Sequence, residues 1–354
     1  MWSRLLLVAV LGAACGGTYG GQPPAHPRAK PGIEDAGLPY NVLDARTGHQ
    51  VDTTAFWDKL ASERVVCVGE EHKNPHHHWV ELETVKRLSA KWPHFALGME
   101  MFQRPFQGVL DDYAANRIDE AALLSRSGWE DRWGYDYSFY GPTIAVAVRA
   151  HAALVALNAS KELTKKVVHQ GLESLTPEER AQLPAEIKLD DKQHRAWFDD
   201  LMSGFGDGDP HNPHGGSPAT PDEHTGSGSG SAAPPPEEPL AGVPEMPSAD
   251  RVYSVQVIWD ETMADSAAKW LAANKDGRIV IMAGSGHCHD SAIVNRIKRR
   301  GIKEVVSVRS VVDDGQGDVA QELAKPMTDF LVVLRMPDDV KHKLVEQNAK
   351  ASGE

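Results

Sequence analysis

The chain has 354 residues, of which 41% are hydrophobic and 25% are charged, and its formal net charge is −13 at pH 7. This composition excludes a wholly disordered chain and a chain embedded in a membrane, and the length fits one large domain or two smaller ones. The acidic charge argues against nucleic acid as a partner, and against an anionic surface as the main one.

The N-terminus has the features of a bacterial export signal. Arg4 provides a positive charge, and residues 5–11 form an apolar run. That run is too short to span a bilayer, because a spanning helix needs about 20 apolar residues. Three small residues then precede Cys15, a pattern typical of the lipobox of bacterial lipoproteins. We predict a signal peptide over residues 1–14, acylation of Cys15 and a lipid-anchored tether over residues 15–40; plain secretion or an uncleaved anchor is the alternative.

From residue 65 onwards, short β-branched runs alternate with helical patterns. Each run is almost continuously apolar, as in parallel strands that are covered on both faces. The predicted strands are Val65–Val68, Phe95–Met99, Leu154–Leu157, Ile279–Met282, Val305–Val308 and Phe330–Leu334. The predicted helices cover residues 76–91, 106–115, 120–125, 142–151, 161–170, 177–183, 190–201, 253–273, 293–300 and 338–348. The alternation predicts an α/β fold with a mainly parallel sheet flanked by helices, in one large domain over residues 41–350.

One segment interrupts this alternation. Residues 203–250 contain ten Pro and nine Gly, eight acidic residues and no Lys or Arg. Such a segment cannot bury enough apolar surface to offset the entropy lost on ordering. We therefore predict a disordered acidic insertion in a loop of the domain, and not a boundary between two domains.

The cysteines allow two interpretations. If Cys15 carries lipid, Cys67 and Cys288 remain, and an exported protein can pair them. Cys67 lies within an apolar run, however, which favours a buried core thiol.

Ionisable side chains follow the predicted strands. Glu70 and His72 come after the first strand, Glu100 ends the second, and His287 and His289 follow the fourth. In a parallel α/β sheet, ligands bind beyond the carboxyl ends of the strands. If the strand order brings these ends together, one pocket collects carboxylates and imidazoles. That set suits a site for Zn, Mn, Co or Fe, or a general base with an orienting carboxylate.

Two neighbouring features also have alternative interpretations. His76–His78 are consecutive and point in three directions, so they cannot all bind one ion, although one of them can face the pocket. Aromatic residues crowd the segment 129–140. They form either a small hydrophobic cluster or a wall for a flat ligand.

Several motifs, taken in order, resemble a known family. The motifs include VVCVGEEH at Val65–His72, GMEMFQR at Gly98–Arg104, YGP at Tyr140–Pro142, WDETMA at Trp259–Ala264 and AGSGH at Ala283–His287. From about residue 65 to residue 308, without the insertion, the chain resembles the ChaN-like haem-binding uptake lipoproteins. These belong to the wider superfamily of Tiki-type proteases, TraB proteins and erythromycin esterases.

The resemblance implies an α/β fold, a lipoprotein at the cell envelope and haem binding linked to iron uptake, with haems held between two protomers of a homodimer as one arrangement. Relatives have a tyrosine after the GxGH motif, where this chain has Cys288 and His289. Tyrosine and histidine both serve as axial haem ligands, so His287 or His289 can replace that tyrosine. The residues predicted to bind haem or another ligand are Glu70, His72, Glu100, Tyr140, His287 and His289.

Haem binding at the bacterial envelope, on its periplasmic or surface side, is therefore the favoured function, and it is not enzymatic. The alternative is a metal-dependent esterase or peptidase in which a divalent transition metal is held by His72, Glu100 and His287, with Glu70 beside them. A further alternative is a non-catalytic envelope protein. The predicted partners are haem or a small molecule, and a membrane that is reached through the lipid anchor.

Overall fold

The computed structural model describes residues 37–204, 247–315 and 317–335. The predicted signal peptide, Cys15, most of the predicted insertion and the predicted helix at 338–348 lie outside these residues. None of the described helices is both long and apolar enough to span a membrane.

The described residues form one eight-stranded sheet. Its strands are β1 (Tyr40–Asp44), β2 (Gln50–Val51), β3 (Val65–Glu70), β4 (Phe95–Gln103), β5 (Ala153–Asn158), β6 (Arg278–Gly284), β7 (Val305–Asp313) and β8 (Phe330–Arg335). The strand order is β2-β1-β8-β7-β3-β6-β4-β5. Strands β3 to β8 pair in parallel, whereas β1 is antiparallel to both of its neighbours. The predicted α/β class and its six strands are confirmed; β1 and β2 were not predicted.

Twelve α-helices flank the sheet in the described residues. They are α1 (Thr53–Ser62), α2 (Pro75–Ser89), α3 (Gln107–Ala114), α4 (Glu120–Ser127), α5 (Trp129–Arg132), α6 (Gly141–Arg149), α7 (Lys161–Gln170), α8 (Pro177–Arg180), α9 (Lys192–Gly204), α10 (Ala249–Ala273), α11 (Asn295–Arg299) and α12 (Asp318–Ala324). Helix α2 begins after Asn74, whose side chain accepts the N–H of His76, and Pro75 is in its first turn. The first two residues of the predicted insertion belong to α9, and its last two belong to α10. Helix α9 therefore ends later, and α10 begins earlier, than predicted.

The side chains of β3 show how both faces of the sheet are covered. Val66 and Val68 belong to a core with α1, α2 and α6, whereas Val65 and Cys67 point to the opposite face and a core with α10 and α11. All six residues of the strand are buried. Burial of a Val side chain contributes roughly 1.5–3 kcal/mol, so continuous apolar strands are stable only between two helical layers.

The strand order brings three strand ends together. Strand β6 lies between β3 and β4 and is parallel to both. Adjacent strands are about 4.8 Å apart. Glu70 and Gly284, the last residues of β3 and β6, therefore lie close to Glu100, which follows the last β4 residue that pairs with β6.

A disulfide links the strand β3 to the loop after β6. Cys67 and Cys288 are bonded, their Cα atoms are 5.4 Å apart, and both residues are completely buried. The predicted core thiol at Cys67 is therefore wrong. The loop after β6 turns back against β3, and this places Cys288 beside a cysteine that is 221 positions earlier in the chain.

Candidate functional site

Glu70, His72, Glu100 and His287 lie together at the carboxyl edge of the sheet. Nδ1 of His72 is 2.5 Å from Oε1 of Glu70, and Nε2 of His287 is 3.3 Å from Oε1 of Glu100. Gly284 lies between the two pairs. A Cβ at this position would be 3.0 Å from Cε1 of His72 and 3.7 Å from Oε2 of Glu100. Because Gly284 has no side chain, the imidazole of His72 can lie directly against its backbone.

The Glu70–His72 pair has a buried end and an open end. Glu70 is 1% exposed, whereas the side chain of His72 is 28% exposed. Burial raises the pKa of Glu70, although the hydrogen bond to His72 opposes this. Burial lowers the pKa of His72, but the hydrogen bond and charge of Glu70 outweigh it and raise the pKa. No hydrogen bond from the described part of the chain occupies Nε2 of His72, so this nitrogen is available to a ligand.

His287 has no available nitrogen. Its Nδ1 is 2.7 Å from Oδ1 of Asp260 on α10, while its Nε2 faces Glu100. Burial lowers the pKa of His287, but the charge of Glu100 and the bond to Asp260 outweigh it and raise the pKa to about 10. His287 is thus an imidazolium between two carboxylates, and both of its nitrogens have partners in the described residues.

Both carboxylate oxygens of Glu100 also have partners. Its Oε2 accepts the N–H of Gly284 at 2.7 Å, and its Oε1 pairs with His287. Within residues 37–204, 247–315 and 317–335, no group of three or more His, Cys, Asp or Glu side chains is arranged to hold a metal ion. The predicted metal ligands His72, Glu100 and His287 belong to two histidine–carboxylate pairs, Glu70–His72 and Glu100–His287.

A second layer supports the Glu70–His72 pair from α2. Nε2 of His78 is 3.2 Å from the carbonyl oxygen of His72, and its Nδ1 is 2.8 Å from Oε2 of Glu81. A carbonyl oxygen only accepts, so Nε2 of His78 carries a proton. Burial raises the pKa of Glu81 well above its usual value and lowers the pKa of His78, which favours a neutral carboxyl that donates to Nδ1 of a neutral imidazole. His78 is thus the member of the histidine run that reaches the site.

The aromatic residues of segment 129–140 form both a hydrophobic cluster and a wall at the site. Trp129 and Tyr140 are buried in the core. Trp133 and Tyr135, which are both partly exposed, contact the ring of His72 with centroid distances of 4.8 and 4.7 Å. The second pair forms one wall beside the open nitrogen of His72.

Tyr140 and His289 are not placed as open ligands. Tyr140 is 0% exposed, packs against the ring of His78 and donates to the carbonyl oxygen of His72 at 3.5 Å. Burial raises the pKa of its hydroxyl. His289 is 2% exposed, and its Nε2 donates to the carbonyl oxygen of Gly286 at 3.1 Å. Its Nδ1 accepts from Ser291 at 3.2 Å, and its ring packs on Trp197 of α9.

Two other clefts, of about 340 and 390 Å³, lie away from His72. Arg104, Pro105, Ala159, Ser160, Leu163 and Gln182 line the first, and Gln193, Ala196, Trp197, Asp200, Lys325, Pro326 and Met327 line the second. Neither contains a predicted site residue. The His72 site lies at the carboxyl edge of the sheet, beside the aromatic wall of Trp133 and Tyr135.

Asp260 and Glu81 were not predicted from the sequence to belong to the site, and the prediction that one of His76–His78 faces it did not say which. Asp260 is in the WDETMA motif, and it is a completely buried acid on a mostly apolar helix. A buried charge needs a partner, so its position on that helix was a usable signal. For Glu81, the signal was an acid on the buried face of α2.

Comparisons with known proteins agree with the fold. A family model described as "Haem-binding uptake, Tiki superfamily, ChaN" matches residues 56–297. The structure of ChaN of Campylobacter jejuni, with cofacial haem binding, is similar with a TM-score of 0.58 and 15% identity, over 84% of this chain and 97% of that chain. A structure of the type III effector HopBA1 has a TM-score of 0.39 and 11% identity, over 80% of this chain and 92% of that chain. No curated protein gives a significant match. Because the family model covers well over half of the sequence, the chain belongs to the haem-binding uptake family ChaN of the Tiki superfamily.

Proposed function

We propose that the chain binds haem at the carboxyl edge of the sheet and that Nε2 of His72 would hold the iron. One observation carries this assignment. Of the imidazoles predicted to bind, His72 alone is partly exposed and has a nitrogen without a hydrogen-bond partner in the described residues, whereas both nitrogens of His287 and of His289 are occupied.

The surroundings of His72 fit an axial ligand. Histidine is an ordinary ligand of haem iron. A carboxylate on the other ring nitrogen fixes the tautomer and orientation of a ligating imidazole and increases its basicity. Glu70 provides this contact at 2.5 Å. Haem supplies the iron centre when it is bound; Glu70 and His78 hold the ligand in place from below.

The wall beside His72 fits the flat, apolar part of haem. Trp133 and Tyr135 offer partly exposed aromatic surface next to the free nitrogen. Exposed Lys73 places its Nζ 5.9 Å from the ring of Tyr135, and this cation can pair with a haem propionate. We propose that this wall would contact one face of a haem and that a second protomer would cover the other face, in the manner of the cofacial haem binding named for the Campylobacter protein.

We place this activity at the bacterial envelope, in haem or iron uptake. The apolar N-terminal run followed by Cys15 supports a lipid anchor, and the family description supports an uptake role. Several acyl chains hold a protein at a membrane stably, whereas one chain does not.

A haem titration followed by the Soret band tests the proposal. The wild type should bind haem saturably, and His72→Ala should weaken binding by roughly tenfold or more. His76→Ala is a matched control, since His76 is a partly exposed histidine four positions away and outside the cluster. Equal affinity in the wild type and His72→Ala would refute the ligand assignment, and a wild type that does not bind would refute the function.

A second candidate is hydrolysis at the same site. The Glu70–His72 contact has the geometry of a general base with its orienting carboxylate, and the side chain of His72 is 28% exposed. An esterase and peptidase screen with and without a chelator tests this candidate. Activity that is lost in His72→Ala and Glu70→Gln supports hydrolysis, and an inactive wild type counts against it.

A further inference from the structure

The carboxylate of Asp260 connects the site with a helix that does not touch it. Asp260 is 0% exposed. Its Oδ1 is 2.7 Å from Nδ1 of His287, and its Oδ2 is 3.0 Å from Nε2 of His194 on α9. The second contact is too bent for a strict hydrogen bond, although its length is within hydrogen-bond range. Arg296 adds a positive charge 3.6 Å from the same oxygen.

The protonation of His194 follows from its neighbours. Nη2 of Arg296 is 3.4 Å from Nδ1 of His194, and the hydroxyl of Tyr253 is 3.2 Å from the same nitrogen. A guanidinium can only donate, so Nδ1 accepts. The proton of a neutral His194 is then on Nε2, which faces Asp260. His194 is also 0% exposed, so no water replaces this donor.

The contact with His194 limits how Asp260 can turn. If it is removed, Oδ2 keeps only the longer contact with Arg296, and the carboxylate can rotate about its terminal bond. Oδ1 of Asp260 then no longer fixes the orientation of the His287 ring through its contact with Nδ1. Since the other N–H of His287 pairs with Glu100, a change in the His287 ring reaches the carboxylate that lies beside Gly284 and His72.

We propose that His194 is a positioning residue for this site: through Asp260 it fixes the ring of His287 and, with it, the orientation of Glu100. Helix α9 is thereby coupled to the pocket, although His194 contacts neither Glu100 nor His72 in the described contacts. The effect on ligand binding rests on the proposed haem function, whereas the coupling within the protein does not.

The test uses the full chain labelled with ¹⁵N-histidine, in the absence of haem. The two ring N–H resonances of His287, assigned by their loss in His287→Gln, report its contacts with Asp260 and Glu100. His194→Phe keeps a ring against Trp197 and Tyr253 but removes both nitrogens. It should shift or broaden the Nδ1–H resonance of His287. His194→Gln, whose amide can donate to Asp260, should restore it.

Haem affinity in the same variants gives the second measurement. His194→Phe should bind haem about tenfold more weakly, and His194→Gln should bind it close to the wild type. If the wild type binds no haem, the proposed function is wrong, but the ring N–H resonances of His287 still show whether His194 positions His287. A folded His194→Phe with unchanged His287 resonances overturns the inference. If His194→Phe does not fold, the comparison passes to His194→Asn, which is too short to reach Asp260, and unchanged His287 resonances there overturn it equally.

Discussion

The disulfide between Cys67 and Cys288 should contribute a large part of the stability of the domain. The bond closes a loop between residues that are 221 positions apart. The chain-entropy relation gives about 5 kcal/mol for a loop of this length as an upper value, and measured disulfides typically contribute about 2–4 kcal/mol. We therefore expect the double variant Cys67→Ala/Cys288→Ala to lose about 2–5 kcal/mol of unfolding free energy.

Urea unfolding at 25 °C, followed by tryptophan fluorescence, measures this loss. Because both cysteines are completely buried, the wild type should resist reduction by dithiothreitol until urea opens it, and the double variant should not respond to dithiothreitol at all. Thiol titration of the oxidised, unfolded wild type should find neither Cys67 nor Cys288 free. Two reactive thiols at these positions, or equal unfolding midpoints for the variant and the wild type, would refute the reasoning.

Three further results are expected. The folded chain raises the pKa of His287 to about 10, so His287 keeps a proton that it loses near pH 6.5 in the unfolded chain. The resulting stabilisation is complete below pH 6.5, and the free energy of unfolding should fall by about 1.4 kcal/mol per pH unit as the pH rises towards 10. Urea unfolding at several pH values should show this slope for the wild type and not for His287→Gln, and equal slopes would contradict the imidazolium. Gly284→Ala places a methyl group against His72 and should weaken haem binding. The control Gly108→Ala, whose new methyl has no atom within 4 Å, should leave haem affinity unchanged. Equal haem affinities for the two variants would show that the His72 ring does not need the space beside Gly284. Cys15→Ser should move the protein from the membrane fraction to the soluble fraction on immunoblots, and unchanged partition would contradict the lipid anchor.

The parallel sheet could be predicted because its strands are buried on both faces and are therefore continuous apolar runs. Strands β1 and β2 lack this signal. They are five and two residues long and lie at the antiparallel edge, where most residues are only partly buried. Helix α1 was also missed, although Asp52 caps it and its buried face carries Phe56, Trp57 and Leu60.

The site was predicted less completely than the fold. Positions at strand ends indicated Glu70, His72, Glu100 and His287, and the structure brings these four together. Which nitrogen of each imidazole is free depends on contacts from distant parts of the chain. Asp260 occupies His287 from 27 positions away, and no local pattern reveals this pairing. The disulfide was one of two interpretations, and the apolar run around Cys67 favoured the other, a buried thiol.

Identification of the residue that binds the iron is the sharpest test of haem binding through His72. Magnetic circular dichroism and electron paramagnetic resonance spectra of the ferric haem complex distinguish an imidazole ligand from a phenolate. We predict an imidazole signature that is retained in Tyr135→Phe and lost in His72→Ala. A phenolate signature that disappears in Tyr135→Phe and survives in His72→Ala would contradict it.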